Sequence, residues 1–135
     1  SSSSFAFDFK WLVNNPQYSD LKYRIGGKTI FAHRVIVYNR CQHLKQIALM
    51  LYRFAGQKYD EEVGLKNIDH NVFLGLLYYL YTDHLKVAPH LVPKLQDLAA
   101  SYRLPRLVAL CKRFARLGRI ENGMFNYDLM TLHAH

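Results

Sequence analysis

The stretch from Leu21 to Ala32 constrains the fold more than any other. Leu21, Tyr23 and Ile25 alternate with Lys22 and Arg24, the two-residue period of a strand with one buried face. Gly26-Gly27 follows, a pair that adopts positive φ at little steric cost and so suits a two-residue hairpin turn. Thr29 to Ala32 reads as the returning strand. An isolated hairpin is marginal in water, so the rest of the chain must cover its apolar face.

The rest of the chain has helical period. A short helical turn is expected over Arg34 to Tyr38. After it, Cys41, Leu44, Ile47, Ala48 and Leu51 fall on one face of a helix. Gly56 marks a loop that holds the contiguous acids Asp60, Glu61 and Glu62, and Val63-Gly64-Leu65 suits a short third strand. Asp69 can accept from the free N–H groups of a helix's first turn. The helix it would start carries Val72, Phe73, Leu76, Leu77, Leu80 and Tyr81, is apolar nearly all round and should be central. Leu91, Leu95, Leu98, Ala99 and Tyr102 predict another helix, with Pro93 confined to its first turn. Pro105 suits the first position of a last helix, whose apolar face is Leu107, Val108, Cys111, Phe114 and Ala115. Hairpin, helices, one short strand and three helices predict an α+β fold in which helices dominate.

A chain of 135 residues, half of them hydrophobic, suits one globular domain. Ser1 to Ser4 read as a flexible end, residues 5–117 as the domain and residues 118–135, weakly patterned, as a C-terminal extension. The densest apolar run, Val72 to Tyr81, is far short of the ~18 residues of a membrane span, and no leader of basic then apolar residues is visible at the N-terminus. Cys41 and Cys111 lie far apart on apolar faces, which predicts buried thiols. Together these point to a reducing, intracellular setting, cytoplasmic or nuclear.

Patterns that carry catalysis or cofactors are not expected. Cys41 and His43 lack a second pair at metal-ligand spacing, so no metal site is predicted. The adjacent acids Asp60, Glu61 and Glu62 would splay on a loop and make a poor acid–base pair. The formal charge is +8, and Arg103 to Arg119 holds six basic residues and no acid. That face suits a nucleic-acid-binding helical domain as an alternative. Its aromatic residue, Phe114, lies on the apolar side, however, so a solvated face is the expectation.

Residues 15–117 resemble the BTB/POZ family. SDLKYRIGGKTIFAHRVIV (Ser19 to Val37) is similar to the family's opening of Ser-Asp, alternating strand, tight turn and a strand ending in Ala-His-Arg. Cys41 to Leu44 resembles the start of its second helix, where Phe is usual at Leu44. LKNIDHNVFLGLLYYLYT (Leu65 to Thr82) resembles its strand, capped turn and Val-Phe helix, and LQDLAASYRLPRLVALCKR (Leu95 to Arg113) its paired C-terminal helices. Three departures stand out. Asp83 replaces the usual Gly after Tyr-Thr, Tyr38-Asn39 replaces small residues, and the Gly56–Glu62 loop is short.

The resemblance implies a non-enzymatic module that homo-oligomerises and recruits a partner protein. Many members are substrate adaptors of cullin-3-type ubiquitin ligases; others recruit transcriptional corepressors. A further branch tetramerises potassium-channel subunits, but the Ala-His-Arg stretch looks more like the adaptor and repressor branches. The resemblance places Phe5, Phe7, Phe9, Trp11 and Leu12 at a homodimer interface, where a partner chain covers apolar groups too numerous for a free tail. It also implies a charged pocket of Asp20 and Arg34 near the dimer seam. His33 beside them is expected to be structural, with a ring hydrogen bond in the core. A cullin-facing surface would use Tyr59 and Glu61, which match an apolar–any–Glu pattern, with Leu44, Leu51, Tyr52 and Tyr81 completing the groove.

Overall fold

A computed structural model describes residues 8–58, 60–120 and 131–133. Strands β1 (Leu21–Ile25) and β2 (Lys28–Ala32) form the hairpin, with Ile25 opposite Lys28. Gly26 and Gly27 take φ of +58° and +78°, the pair of positive values that a type I′ turn requires. Leu21, Tyr23, Ile25, Ile30 and Ala32 are buried on one face. Strand β3 (Val63–Gly64) runs parallel to β1, so β1 is the central strand of a sheet ordered β2-β1-β3.

Helix α1 (Arg34–Arg40) is longer than the expected turn, and α2 (Gln42–Phe54) follows after a break at Cys41. Cys41 is extended (φ −138°). Its N–H closes α1 on Val37 O at 2.8 Å, and its carbonyl accepts from Lys45 N at 3.3 Å to open α2. It therefore joins two helices rather than lying within one.

Helix α3 (His70–Thr82) is the centre of the molecule, with eight of its residues buried. Asp69 caps it as expected, accepting from Asn71 N at 2.8 Å and Val72 N at 3.1 Å. Phe73 packs edge-on to Tyr23 of the sheet, with ring centroids 5.0 Å apart. The helix ends on Asp83, which has a left-handed φ of +64°. That conformation explains the family's glycine here: Gly enters it freely and Asp tolerates it. The departure brings a contact of its own, since the Asp83 carboxylate pairs with Arg40 of α1.

Strand β4 (His84–Lys86) pairs antiparallel with β5 (Thr131–His133). Neither was legible in the sequence, because three residues are too few to display a period. Part of the C-terminal extension is thereby joined to the domain. Helix α4 (Val92–Ser101) holds Pro93 in its first turn, and α5 (Pro105–Ile120) starts on its proline. The two pack as a hairpin beside α3 and β4. Gly75 allows α3 to approach the chain after β4: a Cβ there would sit 3.3 Å from Val87. Cys41 and Cys111 are free and buried, and burial pushes the Cys111 thiol up to about 12. Among the described residues no helix is long and apolar enough to cross a membrane.

Candidate protein-interaction surfaces

Three regions carry the residues singled out from the sequence. The first is the N-terminal segment, where Phe9–Leu12 form a single 3-10 turn. Asp8 caps the turn by accepting from Lys10 N at 3.1 Å, and that hydrogen bond holds its carboxyl below the usual range. Leu12 and Val13 pack on the core, which fixes the turn against α3. Asn14 adds a second anchor, its side-chain oxygen accepting from Phe31 N at 2.9 Å on the edge strand. Phe9 and Trp11 are left exposed, Trp11 at 69%. Phe5 and Phe7 lie outside the described residues.

The second region is the start of α1. The N-cap His33 makes no side-chain cap, so α1 begins with N–H groups its own turn cannot satisfy. Asp20 supplies the acceptor from across the hairpin: its Oδ1 takes the Arg34 N–H at 2.8 Å, and the Arg34 guanidinium donates back to the Asp20 carbonyl. The expected residues do meet, but through side-chain-to-backbone hydrogen bonds, and Asp20 is exposed.

His33 itself is buried and its ring is fixed at both nitrogens. The Gln17 carbonyl can only accept, so Nε2 at 2.8 Å carries the proton. Nδ1, 2.8 Å from the Tyr81 hydroxyl, is then the acceptor. The same hydroxyl accepts from the His33 backbone N–H at 3.0 Å. Burial raises the Tyr81 hydroxyl above its ordinary range. His33 is the structural histidine the sequence implied.

The third region is α2 and the loop beyond it. Only Leu44 of α2 is buried, and Leu51 is half-buried. Leu49, Met50, Tyr52 and Phe54 stand exposed, Phe54 at 81%. Arg34, Tyr38, Lys45, Leu49, Tyr52 and Glu61 line one groove of about 450 Å3 between α1, α2 and this loop. Arg34, without Asp20, therefore shares this groove with Tyr52 and Glu61 of the expected partner surface. Two residues placed on that surface are corrected. Leu44 is 1% exposed and Tyr81 6% exposed, the first under α2 and the second tied to His33. They support the surface from beneath and cannot contact a partner. Tyr59 lies outside the described residues. Met50 and Phe54 were missed, although a signal existed: the expected apolar face of α2 was already complete without them, leaving them in surplus.

This fold, with large apolar groups presented on two separate elements, defines a protein-interaction module. The BTB/POZ domain profile matches residues 9–117. The chain is 31% identical over 115 residues to bovine BTB/POZ domain-containing protein 19, covering 84% of this chain and 38% of that protein. It is 30% identical over 118 residues to mouse structure-specific endonuclease subunit SLX4, covering 84% of this chain and 8% of that protein. Among solved structures it resembles the BTB domain of human gigaxonin (TM-score 0.59, 16% identity, covering 73% and 78% of the two chains). It also resembles that of zebrafish PATZ1 (TM-score 0.60, 18% identity, 76% and 80%). The chain belongs to the BTB/POZ family, and it spans well under half the length of these curated relatives.

Proposed function

We propose that this BTB/POZ domain homodimerises through its N-terminal segment and uses α2 and the following loop to recruit a partner, most simply the N-terminal domain of a cullin-3-type ubiquitin ligase scaffold. One observation carries the reading: two separate elements, the Phe9–Leu12 turn and the C-terminal half of α2, each present large apolar side chains to solvent. Exposed groups of that size mark binding surfaces when they cluster. Covering one such side chain stabilises by roughly 1.5–3 kcal/mol. Glu61 at the groove rim supplies an acceptor for a basic group or helix N-terminus of the partner.

Sedimentation of the domain alone and with a cullin N-terminal domain tests both halves. The expected result is a dimer that binds the cullin domain. Removing residues 1–13 weakens the dimer, and Tyr52→Ala with Glu61→Lys weakens the cullin complex. A dimer that binds no cullin domain at micromolar concentration overturns the adaptor half and favours a repressor-type oligomerisation module. Unchanged dimer affinity after truncation overturns the other half.

A further inference from the structure

The loop that carries Glu61 is fastened at both ends. At its start the Gln57 N–H donates to Leu51 O of α2 at 3.1 Å, with Gly56 at φ +66° making the turn. At its end Glu62 meets the exposed face of the sheet. The Arg24 guanidinium donates to both of its carboxylate oxygens, Nε to Oε2 at 3.1 Å and Nη2 to Oε1 at 3.3 Å. The Thr29 hydroxyl of β2 donates to Oε2 at 3.1 Å. Arg24 is itself fixed by the hairpin, with Nη1 donating to Gly27 O at 3.0 Å and Nη2 to Thr29 Oγ1 at 3.2 Å.

Two further bonds close the loop on itself. Gln57 Nε2 donates to the Glu62 carbonyl at 3.0 Å, and the Glu61 N–H donates to Lys58 O at 3.2 Å. Just beyond, β3 pairs with β1, and the Leu65 N–H donates to Arg24 O at 3.1 Å. Gln57, Lys58, Glu61 and Val63 line the groove described above, whereas Glu62 does not. The two adjacent acids therefore have different duties: Glu61 is at the groove and Glu62 is bound to the sheet. Arg24 is exposed and Glu62 half-buried, so their ion pair adds little to global stability. Its effect is local, because it holds one end of a short loop in a single place before a partner arrives.

We propose that Glu62 is a positioning residue for partner recruitment: its bonds to Arg24 and Thr29 set the loop so that Glu61 is presented at the groove. This rests on the reading that α2 and the following loop recruit a partner, and Glu62 itself touches none.

Amide hydrogen exchange of the full chain, and sedimentation with the cullin N-terminal domain, test this together. In Glu62→Ala the amides of Glu61 and Leu65 are expected to exchange about tenfold faster, while the amides of α3 and the melting temperature stay as in the parent. Capture of the cullin domain weakens by about tenfold. Glu62→Gln, whose amide oxygen still accepts from Arg24, lies between. Glu61→Gln weakens capture by the parent but adds less than about twofold in the Glu62→Ala background, where the loop no longer presents it. Unchanged exchange in Glu62→Ala overturns the fastening. Fully additive losses from Glu61→Gln and Glu62→Ala overturn the positioning role, since each residue would then act alone. A parent chain that captures no cullin domain overturns the adaptor reading instead, and the exchange result then decides the fastening by itself.

Discussion

Helices α2 and α3 have the same length, 13 residues, and opposite fates. Helix α3 buries eight residues, α2 only Leu44. Both are rich in Leu and carry aromatic residues, so the presence of large apolar groups alone does not separate them. The difference is distribution. In α3 apolar residues cover nearly the whole circumference, so only a site surrounded by other elements satisfies it. In α2 the polar Gln42, Lys45, Gln46 and Arg53 occupy the outer face and hold that side in water, carrying Met50 and Phe54 with them. The chain thus assigns its fold to one helix and its outward apolar groups to another.

Substitutions sharpen or break this contrast. Phe73→Ala in α3 removes a fully buried ring packed on Tyr23 and is expected to cost about 3–5 kcal/mol in chemical denaturation. A loss below about 1 kcal/mol would contradict the central role of α3. Next is Tyr81→Phe, which deletes the hydroxyl shared by the His33 ring and backbone. Leaving a buried donor and acceptor unmet is expected to cost about 1–3 kcal/mol, with the same loss of melting temperature whether or not a partner is present. Asp69→Ala removes the cap of α3 and is expected to cost about 1 kcal/mol.

On α2 the expectation reverses. Met50→Ser with Phe54→Ser should leave stability within about 0.5 kcal/mol of the parent while abolishing capture of the partner, read by melting and by sedimentation. The smallest effect concerns Glu62, whose half-buried carboxylate accepts from Arg24 at 3.1 Å and is held below its ordinary value of 4.5 chiefly by that hydrogen bond. Its contribution is present above that value and is lost as pH falls through the lower folded one. Glu62→Gln should therefore lower stability slightly at neutral pH, leave the acid end of a stability–pH profile unchanged, and flatten the limb between them.

Local signals in the sequence were faithful where they were strong. The hairpin, the Asp69 cap and the prolines opening α4 and α5 all depend on neighbours in sequence and could be read directly. The burial of Leu44 and Tyr81 could not, because it depends on which elements pack together. The same holds for Asp20, whose partner is a backbone N–H fourteen residues away. Strand β4 offered no period to detect, and its partner β5 lies in a stretch without pattern. Family resemblance assigned Leu44 and Tyr81 to the outside, where packing buries both.

The Tyr81 hydroxyl has a kinetic consequence. It holds the His33 amide proton, and His33 in turn holds the carbonyl of Gln17, so three segments spread from Gln17 to Tyr81 meet at one oxygen and one ring. The His33 amide is protected by a side chain of α3 rather than by a neighbouring strand or helix turn. Fraying of the hairpin end therefore leaves it protected, and it exchanges with solvent deuterium only when α3 separates from the sheet. That single amide should report the slowest opening of the molecule, well behind the amides of α2.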